Sequence, residues 1–154
     1  YGPDALAVAG ALALDPVLVM RRMAAMPSLE AGLVICDGSG TLTFRKPAAG
    51  FPLPRFGAAC PLWPLYAALG RPMQPVEAVV EVAGQPGRHY RVVAWGCLTH
   101  PAGPRGPELR EAAMLVLPGE PGAGAADVVG SSCRVCPRKD CPARREPSIL
   151  SEAA

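Results

Sequence analysis

The stretch VEAVVEVAGQPGRHYRVVAW, residues Val76 to Trp95, decides the fold class. Its first half alternates in polarity with period two, as a strand with one buried face does. Gly84-Gln85-Pro86-Gly87 then supplies turn formers, and Arg88 to Trp95 resumes with β-branched and aromatic residues of mixed polarity. Strands over Val76–Ala83 and Arg88–Trp95 are therefore expected to pair around the turn. Working outward, Gly32–Cys36 and Thr41–Lys46 flank Asp37-Gly38-Ser39-Gly40 as a second hairpin, and Ala112–Leu117 reads as a further strand. Asp15-Pro16 is a helix start, and the strong helix formers after it place Val17, Met20, Met23 and Ala24 on one face before Pro27. Cys60-Pro61 opens a short helical segment that Gly70 ends, with Pro64 in its first turn. Pro47–Pro54, Pro101–Pro107 and Pro118–Gly124 read as loops.

These elements predict an α+β fold, a mainly antiparallel sheet with flanking helices. The reading is one domain: a helical lead-in over 1–30, an α+β core over 31–129 and a cysteine-rich tail over 130–154. Nothing from Gly130 onward is periodic, so a metal is expected to order that tail. At 154 residues, half of them hydrophobic, the chain is long enough to bury one core. A net charge of +2 does not announce nucleic-acid binding. The apolar run Ala5–Leu14 lacks a preceding basic residue and is shorter than the roughly 18 residues of a membrane span, so it reads as helix. The chain begins at Tyr1 without an initiator methionine, which suggests a piece of a longer protein. With no export signal in view, the 6 cysteines are expected to be reduced thiols in a cytoplasm, available to a metal.

Three of them, Cys133, Cys136 and Cys141, stand C-x2-C-x4-C in SSCRVCPRKDCPARREPS. Soft thiolates select zinc or iron-sulfur clusters. Zinc ribbons usually pair one C-x-x-C with another, and there is no second here, so three clustered cysteines plus a remote one lean towards a [4Fe-4S] cube, with zinc left open. Arg134, Arg138, Lys139, Arg144 and Arg145 surround the triplet and are expected to favour thiolate and donate hydrogen bonds to sulfur. Cys36 and Cys97 fall in or beside strand-like runs and read as buried apolar residues, whereas Cys60 lies in an irregular turn that can present a sulfur. His89 and His100 belong to no motif, and no nucleophile-base pair is recognisable, so no enzyme is expected.

The two blocks CDGSGTLTFRKPAAGFPLPRFGAACPLWPLY and SSCRVCPRKDCPARREPS resemble the C-terminal domain of the short-chain fatty acyl-CoA regulators, bacterial transcription factors with an amino-terminal helix-turn-helix domain of the XRE type. The resemblance implies a GAF-like ligand-sensing domain that carries an iron-sulfur cluster and responds to short acyl-CoA thioesters. It places the metal ligands on Cys60, in CPLW, and on Cys133, Cys136 and Cys141, with Cys97 in reserve. Arg45, Lys46 and Arg55 are the candidate contacts for the CoA phosphates, which require cations. DNA binding is expected only through a separate amino-terminal domain. Palindromic operators imply a homodimer for such regulators, with no membrane partner. The resulting reading is a ligand- or redox-sensing regulatory domain. The alternative is a structural zinc-binding module for protein-protein assembly.

Overall fold

Asp15 begins the helix expected of it. Its side chain accepts from the Val17 amide at 3.0 Å, and Pro16 stands at the first helical position. The helix, which we call α2 (Pro16–Ala24), buries Val17, Met20, Met23 and Ala24 and adds Val19. Before it, Asp4 caps α1 (Ala5–Leu12) by accepting from the Leu6 and Ala7 amides. The computed structural model describes residues 3–119 and 126–150. Beyond the helices it contains β1 (Gly32–Cys36), β2 (Leu42–Lys46), α3 (Pro64–Gly70), β3 (Val76–Val82), β4 (His89–Thr99), β5 (Leu109–Pro118) and β6 (Asp127–Val129).

Both expected strand pairs form. β1 and β2 pair antiparallel across the Asp37–Gly40 turn, where the Asp37 carboxylate accepts from the amides of Ser39 and Thr41. β3 and β4 pair antiparallel from Val76 opposite Ala94 to Glu81 opposite His89. The strands form a 6-stranded sheet in the order β2-β1-β5-β4-β3-β6, antiparallel throughout except where β6 joins β3 in parallel. β4 and β5 outrun their expected lengths because they pair continuously from Tyr90 opposite Pro118 to Thr99 opposite Leu109. Backbone hydrogen bonding there carries the ladder past the apolar residues from which the strands were read. α3 begins at Pro64 rather than Cys60, and the residues between form a turn in which the Trp63 amide donates to the Cys60 carbonyl. β6 was not anticipated, since it is a short segment beside a glycine-rich stretch. Most of the expected Pro118–Gly124 loop lies outside the described residues.

The central strands are apolar on both faces, and their parity sorts them into two cores. Leu33, Ile35, Val93, Ala113, Leu115 and Leu117 meet α1 and α2. Val34, Cys36, Val92, Ala94, Met114 and Val116 meet Phe51, Trp63 and Leu65 on the other face. The structure is thus an α+β arrangement with the sheet between two helical layers. α3 crosses close enough that a Cβ added at Gly96 would stand 2.2 Å from the Ala68 carbonyl oxygen.

That approach leaves no room for a methyl group. Gly96→Ala is expected to lower stability by about 1–3 kcal/mol, the usual range for overpacking. Gly10→Ala, in the exposed part of α1 with nothing within 4 Å, is expected to raise it by up to about 1 kcal/mol. Urea unfolding of the two variants beside the parent chain checks both signs.

Candidate metal centre

The Cys60 corner is held from two sides. The Tyr66 hydroxyl accepts from the Ala59 amide at 2.8 Å and donates to the Gly40 carbonyl at 2.7 Å. Trp63, 1% exposed and packed on Phe51, donates its indole N–H to the Gly130 carbonyl at 2.6 Å. The second bond draws the start of the tail against the corner. Arg145 adds another link, its guanidinium donating to the Ala59 carbonyl at 2.8 Å. Cys60, Cys133, Cys136 and Cys141 consequently line one cavity, the first three buried and Cys141 half-buried. A Cβ at Gly130 would stand 2.9 Å from the Cys136 sulfur, so the absence of a side chain there admits the thiol.

The cavity measures about 10 Å³, room for about one water molecule. Among the described residues, no three cysteine, histidine, aspartate or glutamate side chains form an arrangement that holds a metal ion. The four thiols share that cavity. Their chemistry is that of an all-sulfur donor set, suited to zinc or iron-sulfur chemistry. Burial pushes the Cys60 thiol up, and the neighbouring Cys136 and Cys133 add to the shift against the lowering by backbone hydrogen bonds.

The arginines act differently from expectation. Arg144 donates to the carbonyls of Cys133 at 2.9 Å, Glu146 at 3.1 Å and Cys136 at 3.3 Å, and also to that of Arg138. Arg138 donates to the Val128 carbonyl at 3.0 Å. The Cys133 sulfur meets the Arg145 backbone amide at 3.5 Å, not a guanidinium. A fork of donors meets carbonyls better here because the looped backbone exposes them with no helix or sheet partner. Arg134 and Lys139 are exposed. The tail thus has a fastening made by the protein itself, which the sequence reading had assigned to a metal. Arg144, Arg145 and Trp63 are the residues it missed as organisers, although the CPLW block and the Arg144-Arg145 pair lie in the stretches singled out.

Other candidates fall elsewhere. Cys97 lines a separate cleft with Asp37, Thr99, Glu108, Arg110 and Glu111, its thiol pushed up by burial and then by Glu111 and Asp15. Cys36 is fully buried in β1, and burial first, then Asp37 and Glu111, push its thiol to about 11. Arg45 and Lys46, adjacent on β2, point to opposite faces of the sheet. Arg45 is exposed, whereas the Lys46 ammonium donates to the Ala31 carbonyl at 2.7 Å. Arg55 is exposed in the loop before Cys60. The three cations do not come together, and none lines the cysteine cavity or the Cys97 cleft.

Residues 24–154 match the family described as short-chain fatty acyl coenzyme A regulator, C-terminal. The chain is 34% identical over 138 residues to the HTH-type transcriptional regulator RamB of Mycobacterium tuberculosis, with 73% of this chain and 27% of that protein covered. It is 32% identical over 124 residues to the propionyl-CoA carboxylase regulator of Cereibacter sphaeroides, covering 73% of this chain and 26% of that protein. The chain spans about a quarter of the length of these curated relatives. A solved structure described as a Mycobacterium tuberculosis transcriptional regulator superposes with a TM-score of 0.80 at 22% identity, over 98% of this chain and 51% of that one, a likeness of fold.

Two outcomes follow from this geometry. In metal-free protein, Arg144→Ala is expected to speed proteolysis of residues 130–150 at least about tenfold, since it removes charge-assisted bonds from four carbonyls. Arg144→Lys should not restore protection, because an ammonium lacks the planar fork. An unchanged cleavage rate would remove Arg144 from its organising role. For Cys36, the folded thiol stays neutral up to about pH 11 while the unfolded one ionises near its ordinary 9.0. The folded chain keeps a proton that the unfolded chain loses, so stability falls with rising pH across that window, by an amount on the order of 2–3 kcal/mol. Urea midpoints at stepped pH should show this slope, and Cys36→Ala should reduce it, leaving the part that the raised Cys60, Cys97 and Tyr66 groups contribute with the same sign.

Proposed function

The chain belongs to the short-chain fatty acyl coenzyme A regulator family, of which it carries the C-terminal domain, and on that premise we propose that it is the sensing domain of a bacterial transcriptional regulator with a four-cysteine [4Fe-4S] site. The observation that carries this reading is the meeting of Cys60 with Cys133, Cys136 and Cys141 in one cavity. These sulfurs come from two distant segments, and three of the four are buried. Four cysteines are the donor number of a cube, in which each sulfur caps a different iron. When bound, such a group supplies one-electron redox chemistry and sensitivity to oxidants.

The chain's own residues would do the rest. Trp63 and Arg145 keep the two ligand segments together, and Arg144 holds the loop that bears the triplet. The effector is proposed to be a short acyl-CoA, in keeping with the family description. A sheet flanked by helices on both faces supports the GAF-like reading. The relatives are named as regulators, which supports a role without catalysis. DNA contact is assigned to a separate amino-terminal domain, in line with the HTH-type name of one relative. The whole regulator is proposed to act as a cytoplasmic homodimer; no helix among the described residues is long and apolar enough to cross a membrane.

A second reading, a structural zinc module for assembly, draws on the small size of the cavity. Anaerobic purification with iron, sulfide and zinc analysis separates the two. The cluster reading expects brown protein containing iron and acid-labile sulfide, whereas zinc gives colourless protein with one ion per chain. Changing Cys60, Cys133, Cys136 or Cys141 to Ser should abolish metal retention, and changing Cys36 or Cys97 should not. Full metal content in the Cys60→Ser protein would overturn the ligand set.

A further inference from the structure

α1 meets solvent as an apolar helix. From Ala5 to Leu14 the sequence ALAVAGALAL has no charged or hydrogen-bonding side chain. Ala5 and Ala9 are buried on the sheet side, while Val8 and Leu12, one turn apart, face outward, Leu12 62% exposed. Leu14, in the link to α2, and Leu18, 54% exposed in the first turn of α2, add apolar surface on either side of the junction. A helix on the surface of a domain ordinarily sets a polar face against water, and one that is apolar all round is a covered helix. α2 keeps that rule at its other end, where Arg21 and Arg22 are exposed.

Gly10 gives this surface its relief. Glycine is disfavoured inside a helix, and here a Cβ would meet nothing within 4 Å, so no neighbour among the described residues accounts for its absence. Flanked by Ala7 and Ala11, both exposed, it leaves a notch beside Val8 and Leu12 into which the side chains of another helix fit. The extent of the surface points to where that helix belongs. α1 is about 12 Å long, and its few large side chains fall far short of the roughly 20–30 residues a side of a self-standing interface. A tethered segment needs less, because the tether holds it at a high local concentration. The family gives this chain the C-terminal place, and the chain spans about a quarter of the length of its relatives, so in such regulators most of the polypeptide lies on the amino-terminal side. The matched residues begin at 24, so α1 and all of α2 but Ala24 precede them. The exposed carboxylates of Asp4 and Asp15, at the start of each helix, oppose an anionic membrane surface.

We propose that the outward face of α1, continued by Leu14 and Leu18, seats an apolar helix from the amino-terminal part of the regulator, which covers it in the whole protein. The inference rests on the regulator reading above and on neither the cluster nor the acyl-CoA, and its test uses no metal and no thioester. Amide hydrogen exchange over residues 5–18 is compared between the 154-residue chain and the whole regulator. Exchange should be at least about tenfold slower in the whole regulator. Leu12→Lys, at the end of α1, and Leu18→Glu, in the first turn of α2, complement the helix dipoles, so the 154-residue chain should keep its melting temperature. In the whole regulator each should speed the exchange of residues 5–18 at least about tenfold. Gly10→Ala, which fills the notch, should slow exchange in the 154-residue chain and speed it in the whole regulator.

Equal exchange in the two proteins overturns the docking surface and leaves the regulator reading standing, which DNA binding by the whole protein checks separately. Slow exchange in the whole regulator that neither Leu12→Lys nor Leu18→Glu relieves overturns it as well, since the protection then comes from elsewhere. Self-association of the 154-residue chain in sedimentation, abolished by Leu12→Lys, overturns it in favour of a second copy. Binding of the 154-residue chain to phosphatidylcholine vesicles, lost in the same variant, overturns it in favour of a lipid surface.

Discussion

The hydrogen bond from the Trp63 indole to the Gly130 carbonyl, 2.6 Å long and buried, joins the two halves on which the candidate site depends. Its donor side is rooted in the core. Trp63 stands immediately before α3, and its ring packs on Phe51, which in turn meets Tyr90 of β4. Its acceptor side follows directly after β6, the strand that brings the tail alongside β3. An indole N–H buried without a partner costs about 1–3 kcal/mol, so the bond ties core packing to tail docking. Arg145 repeats the link one residue before Cys60. Cys60 and the triplet meet because the surrounding polar groups have few other ways to be satisfied.

The sheet makes that arrangement possible by being covered on both faces. β1 and β5 send alternate residues into two cores, so neither face of the central strands is left to water. The face towards α1 and α2 is a layer of aliphatic residues and methionines with Trp95 packed against it. The opposite face carries Phe51, Trp63, Tyr66 and Tyr90 with the Cys60 corner and Val129, so the site is built on the side where Trp63, Tyr66 and Tyr90 have polar atoms to offer. Aromatic residues suit this position because each buries a large apolar body while its polar tip reaches a backbone partner. Tyr66 does so twice, accepting from Ala59 and donating to Gly40, which connects the corner to the β1–β2 turn.

Charge around the thiols is organised through the backbone. Had the guanidinium groups met sulfur directly, they would have favoured thiolate in the absence of any metal. Instead they meet carbonyls, and burial holds the Cys60 thiol up. A metal or cluster that binds here would have to displace that proton, which makes occupancy sensitive to pH as well as to oxidants. Cys36 and Cys97 are pushed up as well, each with carboxylates adding to the effect of burial. These two thiols have neither the sulfur neighbours nor the shared cavity of the other four.

Local patterns carried much of the fold. The Asp15-Pro16 cap, the buried face of α2, both hairpins and the α+β class were all legible, because caps, turns and period-two alternation act within a few residues of one another. The C-x2-C-x4-C triplet was legible for the same reason, and the family resemblance pointed to Cys60. Only the tertiary structure decided that β6 pairs in parallel with β3 and that β4 and β5 extend each other. It also decided the partners of Trp63 and Arg145, which lie 67 and 86 residues away. Bonds of that kind join a side chain to a carbonyl whose own residue type is irrelevant. No local pattern encodes them, and they exist only once the path of the chain has brought the two groups together.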